Sequence, residues 1–194
     1  MRIALFGGTF DPPHVGHLIL GQALLNFLDI EKVFFVPAFI PPHKKGEHFS
    51  SVEDRLRMVE LSIRSNDSFA VLEVAIKRGG ISYSIATLRE VKNNFKMSRD
   101  NLFFAIGSDN LLDFDNWKSP DKILDTCRVV VFPRPGFDVN KVKDDYRKNV
   151  VFLRTPLIDI SSREIREMVK RGQSIRYLVT DEVNRYINSR GLYK

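Results

Sequence analysis

Two histidines, His14 and His17, stand with a glycine between them in the stretch GGTFDPPHVGHL, Gly7 to Leu18. At i and i+3 they share one face of a helix that begins there. Asp11-Pro12-Pro13 suits the entry to that helix, because proline at the first helical position gives up only an amide that would be unpaired anyway. The start of a helix is a ready anion site. Gly7 and Gly8 let backbone amides approach a ligand with no Cβ in the way. Imidazole donors beside bare amides suit a polyphosphate, with the histidines stabilising charge that builds in a transition state. Zinc is the other chemistry open to paired histidines, but no cysteine or carboxylate supports them at ligand spacing. The stretch is neither the six-residue glycine fingerprint of dinucleotide-binding folds nor the lysine-bearing phosphate loop.

A second candidate lies far downstream. In ISSREIR, Ile160 to Arg166, Ser161 or Ser162 caps a new helix and leaves amides and hydroxyls free at its start. Arg166 falls one turn in, where a guanidinium grips phosphate oxygens.

The elements that must position these residues read as an alternation. Apolar runs at Ile3–Phe6, Val33–Val36, Phe69–Val74, Leu102–Ile106, Val129–Phe132 and Val150–Leu153 predict buried strands. Helical patterns run over Val15–Leu28, from Ser50 (a capping box with Glu53), and over Ser84–Phe95, Pro120–Thr126, Ser161–Arg171 and Asp181–Ser189. Strands alternating with helices predict an α/β fold, a Rossmann-like, doubly wound, mostly parallel sheet covered on both faces. In such sheets ligands sit beyond the carboxyl ends of the strands, where the winding reverses. The search therefore falls on the loops GGTFDPPH, PAFIPPHK, GSDNLLDF and PRPGF, all of which follow strands.

Composition sets the outer bounds. A chain of 194 residues with 43% apolar residues, 15 of them Phe, is most simply one domain, 1–194, with a C-terminal helical segment from about 161. No apolar run approaches the ~18 residues of a membrane span, and the start lacks a signal-peptide pattern. A lone cysteine, Cys127, rules out an internal disulfide framework and fits a cytoplasmic protein. The net charge of +6 favours anionic ligands, yet the charges are interspersed, and Lys141 to Lys148 alternates sign like a solvated helix face. A basic nucleic-acid-binding domain would want an aromatic or Lys/Arg-rich stripe and a recognition motif, and neither is present.

GTFDPPHVGH together with ISSREIR resembles the paired signature of the HxGH nucleotidyltransferase superfamily. Within it, PPHK (Pro41 to Lys44), GGISYSIATL (Gly79 to Leu88), GSDNLLDFDNWK (Gly107 to Lys118) and YLVTDEVNRYINSRGLY are similar to bacterial nicotinate-nucleotide adenylyltransferases. The likeness covers nearly the whole chain. It implies transfer of the AMP part of ATP to nicotinate mononucleotide, giving deamido-NAD and pyrophosphate, with Mg2+ bound through the ATP phosphates and no protein metal cluster. It implies that His14, His17, Lys44 and Arg166 act on the phosphates. Gly7, Gly8, Thr9, Phe10, Gly107, Asp109, Ile160, Ser161 and Ser162 would complete the ATP site. Lys44, Tyr83, Ser84, Thr87, Asp109, Trp117 and Arg134 would hold nicotinate mononucleotide. Small molecules are the expected partners, without nucleic acid or membrane, and a homo-oligomer is compatible.

Two positions depart from the family pattern: Ala86 stands where an acid is common, and Thr180 replaces a proline in YLVT, where it can cap the last helix. The rival activities are transfer to the amidated nucleotide, dual specificity, and phosphopantetheine adenylyltransferase, against which PPHK, SYSIATL and Trp117 argue. A structural nucleotide sensor would keep the glycine turn but not need the histidines and Arg166.

Overall fold

The structure is a computed structural model, and it describes residues 1–42 and 49–194. Six strands form one sheet: β1 (Ile3–Gly8), β2 (Lys32–Pro37), β3 (Phe69–Val71), β4 (Leu102–Gly107), β5 (Arg128–Phe132) and β6 (Val150–Phe152). Their order is β3-β2-β1-β4-β5-β6, and every pairing is parallel. The helices are α1 (Val15–Phe27), α2 (Val52–Ile63), α3 (Val74–Arg78), α4 (Ser84–Asn94), α5 (Ser108–Leu112), α6 (Pro120–Thr126), α7 (Asp144–Lys148), α8 (Ser162–Lys170) and α9 (Asp181–Arg190). The doubly wound α/β fold expected from the alternation is the one observed.

Parallel strands buried on both faces explain the unbroken apolar runs. Along β1, Ile3 and Leu5 join one core with Phe104, Val129, Val131, Leu88 and Ile123. Ala4 and Phe6 join the other with Phe35, Phe103, Val130, Leu24 and Val59. A third cluster packs α8 and α9 onto α2 through Ile165, Val183, Ile187 and Met58. Chain winding reverses between β1 and β4, where the first winding leads outward through β2 and β3 and the second starts on the opposite side. Gly7, Gly8 and Gly107 end the two strands that flank this reversal.

Local boundaries differ from expectation in several places. The strand expected over Phe69–Val74 stops at Val71, because this edge strand pairs only with β2 over three residues, and Val74 opens α3 instead. The strand expected to reach Leu153 ends at Phe152. The cap of α2 is Ser51 with Asp54, rather than Ser50 with Glu53. The Ser51 hydroxyl accepts from the Asp54 amide at 3.0 Å and donates to its carboxylate at 2.8 Å. Ser50 is occupied elsewhere, its amide on Asp11 and its carbonyl on Arg55. The short helices α3 and α5 carry no periodic signal, whereas the solvated helix face expected over Lys141 to Lys148 is helical as α7, from Asp144. Thr180 does cap α9, accepting from the Val183 amide at 3.4 Å. Among the described residues, no helix is long and apolar enough to cross a membrane.

Candidate active site

A cleft of about 960 Å³ opens at the carboxyl ends of β1 and β4. It is lined by Gly7, Gly8, Thr9, Phe10, His14 and His17 from the first loop and helix; by Tyr83, Ser84 and Thr87; by Gly107, Asp109 and Trp117; by Arg134; and by Ile160, Ser161, Ser162 and Arg166. All the site residues expected from sequence therefore meet in one place, save Lys44, which lies outside the described residues.

The histidines lie at the start of α1. Their rings stack with centroids 3.7 Å apart and 31° between planes. His17 also meets the edge of Phe10, whose ring packs on Phe6 and Phe35. The His14 amide donates to His17 Nδ1 at 3.1 Å. Burial, then the neighbouring His14 and Arg134, holds the His17 imidazole well below the usual histidine range. Burial and Arg134 likewise lower His14 to about 3. Both rings are thus neutral at neutral pH. Because His17 Nδ1 accepts a bond, its proton resides on Nε2, which is left as a donor. Among the described residues, none pairs with His14 Nδ1, which is buried. A buried acceptor without a partner is tolerated better than a buried N–H without one, so His14 too carries its proton on Nε2.

The glycine between them has a steric reason. A Cβ on Gly16 would come within 2.9 Å of His14 Nδ1 and 3.0 Å of Ile158 Cγ2. Gly7, by contrast, has only ordinary contacts for a Cβ, the nearest at 3.6 Å on Phe104, so packing within the chain does not require glycine there.

The loop that carries the histidines is tied to distant parts of the chain. Ser162 Oγ donates to the Pro12 carbonyl at 2.8 Å, and Arg166 Nη1 donates to the Asp11 carbonyl at 2.8 Å. Ser161 caps α8, accepting from the Glu164 amide at 3.2 Å. Arg55, 1% exposed, donates to the carbonyls of Thr9 (3.0 Å), Ala38 (2.6 Å) and Phe39 (3.0 Å), so one guanidinium gathers the loops after β1 and β2. Asp11, also 1% exposed, accepts from Tyr193 and from the Ser50 amide. Arg55 and Tyr193 have no part assigned from the sequence, and Asp11 only that of opening a helix with Pro12 and Pro13. For Asp11 the signal was available in GTFDPPH, since a lone acid in an apolar turn must find partners.

The far side of the cleft is built differently. Trp117 packs on Phe114 (5.3 Å) and Phe104 (6.2 Å), and the Lys118 ammonium sits 4.3 Å from the Tyr83 ring centroid. Ser84 begins α4, with Tyr83 as its extended N-cap. The Thr87 hydroxyl accepts from Arg78 Nη2 at 2.8 Å. Asp109 and Arg134 face each other at 3.7 Å, and the Arg134 amide is held by the fully buried Ser108 hydroxyl at 2.9 Å. A Cβ on Gly107 would strike the Asp109 carboxylate, so that pair requires glycine there.

Paired neutral imidazoles at a helix start, under a switch point and facing an arginine, define a nucleotidyl-transfer type of site on a Rossmann-like fold. The sequence profile of the family described as cytidylyltransferase-like matches residues 5–168. The chain is 40% identical, over all of both chains, to a protein of Caldicellulosiruptor bescii named "Probable nicotinate-nucleotide adenylyltransferase". It is 40% identical, again over all of both chains, to one so named from Dictyoglomus thermophilum. The chain belongs to this cytidylyltransferase-like family, and within it to the nicotinate-nucleotide adenylyltransferases. In fold it is similar to a Plasmodium falciparum nicotinic acid mononucleotide adenylyltransferase solved with NaAD. The TM-score is 0.79 at 18% identity, covering 98% of this chain and 96% of that one.

Proposed function

We propose that this protein joins nicotinate mononucleotide to the AMP moiety of ATP, giving deamido-NAD and pyrophosphate. The observation that carries the reading is the meeting, in one cleft, of His14 and His17 with Arg166, Ser161 and Ser162 from the other end of the chain, opposite an aromatic wall at Trp117.

The phosphate monoester of nicotinate mononucleotide attacks the α-phosphorus of ATP in line. A new P–O bond forms, the bond between the α-phosphorus and its bridging oxygen breaks, and pyrophosphate departs with that oxygen. The attacking phosphate is already anionic near neutral pH, so no general base is needed, and catalysis rests on positioning and charge stabilisation. His14 and His17 donate from Nε2 to the triphosphate and to the charge gathering on the leaving group. Gly7, Gly8 and Gly107 give that chain of phosphates room, with Thr9, Phe10 and Ile160 shaping the wall. Arg166 contributes its unengaged N–H groups, and Arg134 faces the histidines with Asp109 as its counter-charge. Lys44 would neutralise phosphate near the reacting centre. Trp117 stacks on the nicotinate ring, while Tyr83, Ser84 and Thr87 at the start of α4 bound its pocket.

Mg2+ fits this site only as a passenger. The two carboxylates that line the cleft among the described residues are taken, Asp109 by Arg134 and Asp11 by Tyr193 and Ser50. The ion would enter on the phosphate oxygens of ATP and neutralise part of their charge. The same reading takes 1–194 as one nucleotidyltransferase domain with 161–194 as its C-terminal helical segment. It also makes the protein a cytoplasmic enzyme whose partners are small molecules, not nucleic acid or membrane.

The test is pyrophosphate release with ATP, Mg2+ and either the acid or the amide mononucleotide. A strong preference for the acid is expected. Equal rates would make the enzyme dual-specific, and release only with phosphopantetheine would overturn the assignment.

A further inference from the structure

The last residues of the chain reach back to the histidine loop. Gly191, at φ 63°, terminates α9 and turns the chain so that Tyr193 lies against α2 and Asp11. The Tyr193 hydroxyl donates to Asp11 Oδ1 at 2.6 Å, a span of 182 residues in sequence. Burial and the facing Asp11 carboxylate push the Tyr193 hydroxyl far above its ordinary range, so it remains a donor at any working pH. The Ser50 amide takes Asp11 Oδ2 at 3.2 Å, and Arg166 takes the Asp11 carbonyl at 2.8 Å. On the other side of His14, the Val15 amide donates to the Leu178 carbonyl at 2.8 Å. His14 is thus bracketed at positions 11 and 15 by contacts from the C-terminal region.

The backbone shows strain at both ends of this linkage. Phe10 and Tyr193, neither of them glycine, adopt φ of 52° and 66°. Side chains other than glycine hold such conformations only where surrounding contacts over-determine them, and such strain gathers at functional sites. Phe10 in that conformation places its ring against His17, at 4.9 Å between centroids.

We propose that Tyr193 is a positioning residue for the His14–His17 pair: by holding Asp11 through its hydroxyl, it sets the loop from Phe10 to Val15 and hence the place of both imidazoles. The proposal rests on the adenylyl-transfer reading of the site. Tyr193 is not among the residues that line the cleft. Its ring also packs in the third core beside Met58, with the hydroxyl 3.8 Å from the Met58 sulfur. The ring's packing and the hydroxyl's positioning are therefore separable by Tyr193→Phe, which keeps the ring.

The experiment is a double-mutant cycle of Tyr193→Phe with His17→Ala, read as kcat and KM per folded molecule. It is accompanied by 15N chemical shifts of the histidine rings in the enzyme without substrates. Expected are a loss of kcat of about ten-fold in Tyr193→Phe with KM for ATP held within about two-fold, because a small misplacement of a catalytic group acts on the transition state. In the His17→Ala background the same change should cost clearly less, because only the His14 ring is left to misplace. The ring spectrum of Tyr193→Phe should show the loss of the fixed His17 tautomer, in which Nδ1 accepts from the His14 amide. A wild-type kcat in Tyr193→Phe overturns the proposal, as does an equal loss on top of His17→Ala, which would mean a general effect on the fold. Should the unaltered protein release no pyrophosphate at all, the proposed reaction fails. The ring spectrum then still decides the positioning role, and an unchanged spectrum in Tyr193→Phe overturns it.

Discussion

The two ends of the cleft are built on opposite principles. At the end proposed to take the phosphates, the polar groups of the first loop are engaged from afar: Thr9 by Arg55, Asp11 by Tyr193, Ser50 and Arg166, and Pro12 by Ser162. At the end proposed to take the pyridine nucleotide, Trp117, Phe114, Phe104, Tyr83 and Lys118 meet through ring faces and edges. Donors aimed at developing charge accelerate a reaction only if they need not reorganise when the charge appears. That requirement explains the cross-linking of the phosphate end. Recognition of a flat ring asks for area and stacking, which packed aromatics supply with little directional demand. In the proposed reaction the first end would serve rate and the second the choice of substrate.

If that division is right, substitutions at the two ends should damage different kinetic constants. The largest loss is expected from His17→Ala, which removes a preorganised donor. Turnover should fall by on the order of a hundredfold or more, with a much smaller change in KM for the pyridine nucleotide. Steady-state pyrophosphate release measures both. A loss confined to KM would mean that His17 merely binds, and the contrast between the ends would fail.

Trp117→Leu should do the reverse. Losing an aromatic stacking partner costs on the order of 1 kcal/mol, so KM for nicotinate mononucleotide should rise about five- to ten-fold while KM for ATP and kcat stay near their original values. Competition between the acid and the amide nucleotide would refine the result. A shift in their ratio would mean that Trp117 reads the pyridine substituent as well as the ring.

Sequence exposes these ends unequally. Six strands could be read because buried parallel strands are continuous apolar runs, as in LFFAIG of β4. The edge strand β3 was over-extended because Leu72 and Val74 are as apolar as the strand itself, and only pairing ends it. The helices of five residues, such as SDNLL of α5, are too short to display a period. His14 and His17 were legible because their chemistry is local, two imidazoles one turn apart. Ser161, Ser162 and Arg166 were legible as a capped helix start. The contacts that hold those groups still were not. Arg55 binds carbonyl oxygens, which carry no residue identity, and Tyr193 finds Asp11 only after the whole sheet has been wound. Ser50 looked like a helix cap by type and spacing. The structure spends its amide on Asp11, and the cap moves one residue on.

The smallest effect concerns protonation. His14 is held to about 3 in the folded protein by burial and Arg134, and His17 is lowered by burial, His14 and Arg134. In the unfolded chain both return to about 6.5. Below that value the unfolded state binds protons that the folded state refuses. Stability is therefore complete above about pH 6.5 and declines as pH falls toward 3, by up to about 1.4 kcal/mol per pH unit for each such group. Urea midpoints measured between pH 6.5 and 5 should fall more steeply for the unaltered protein than for His14→Gln, which removes one of the two titrating rings; parallel curves would place the acid sensitivity elsewhere. Saturating pyrophosphate extends the test to the ligand, because an anion beside the rings favours imidazolium and offsets the cost of burying it. The bound protein should lose less stability per pH unit than the free one. A bound form as acid-sensitive as the free form would put the pyrophosphate away from the histidines, and with it the division of labour between the two ends of the cleft.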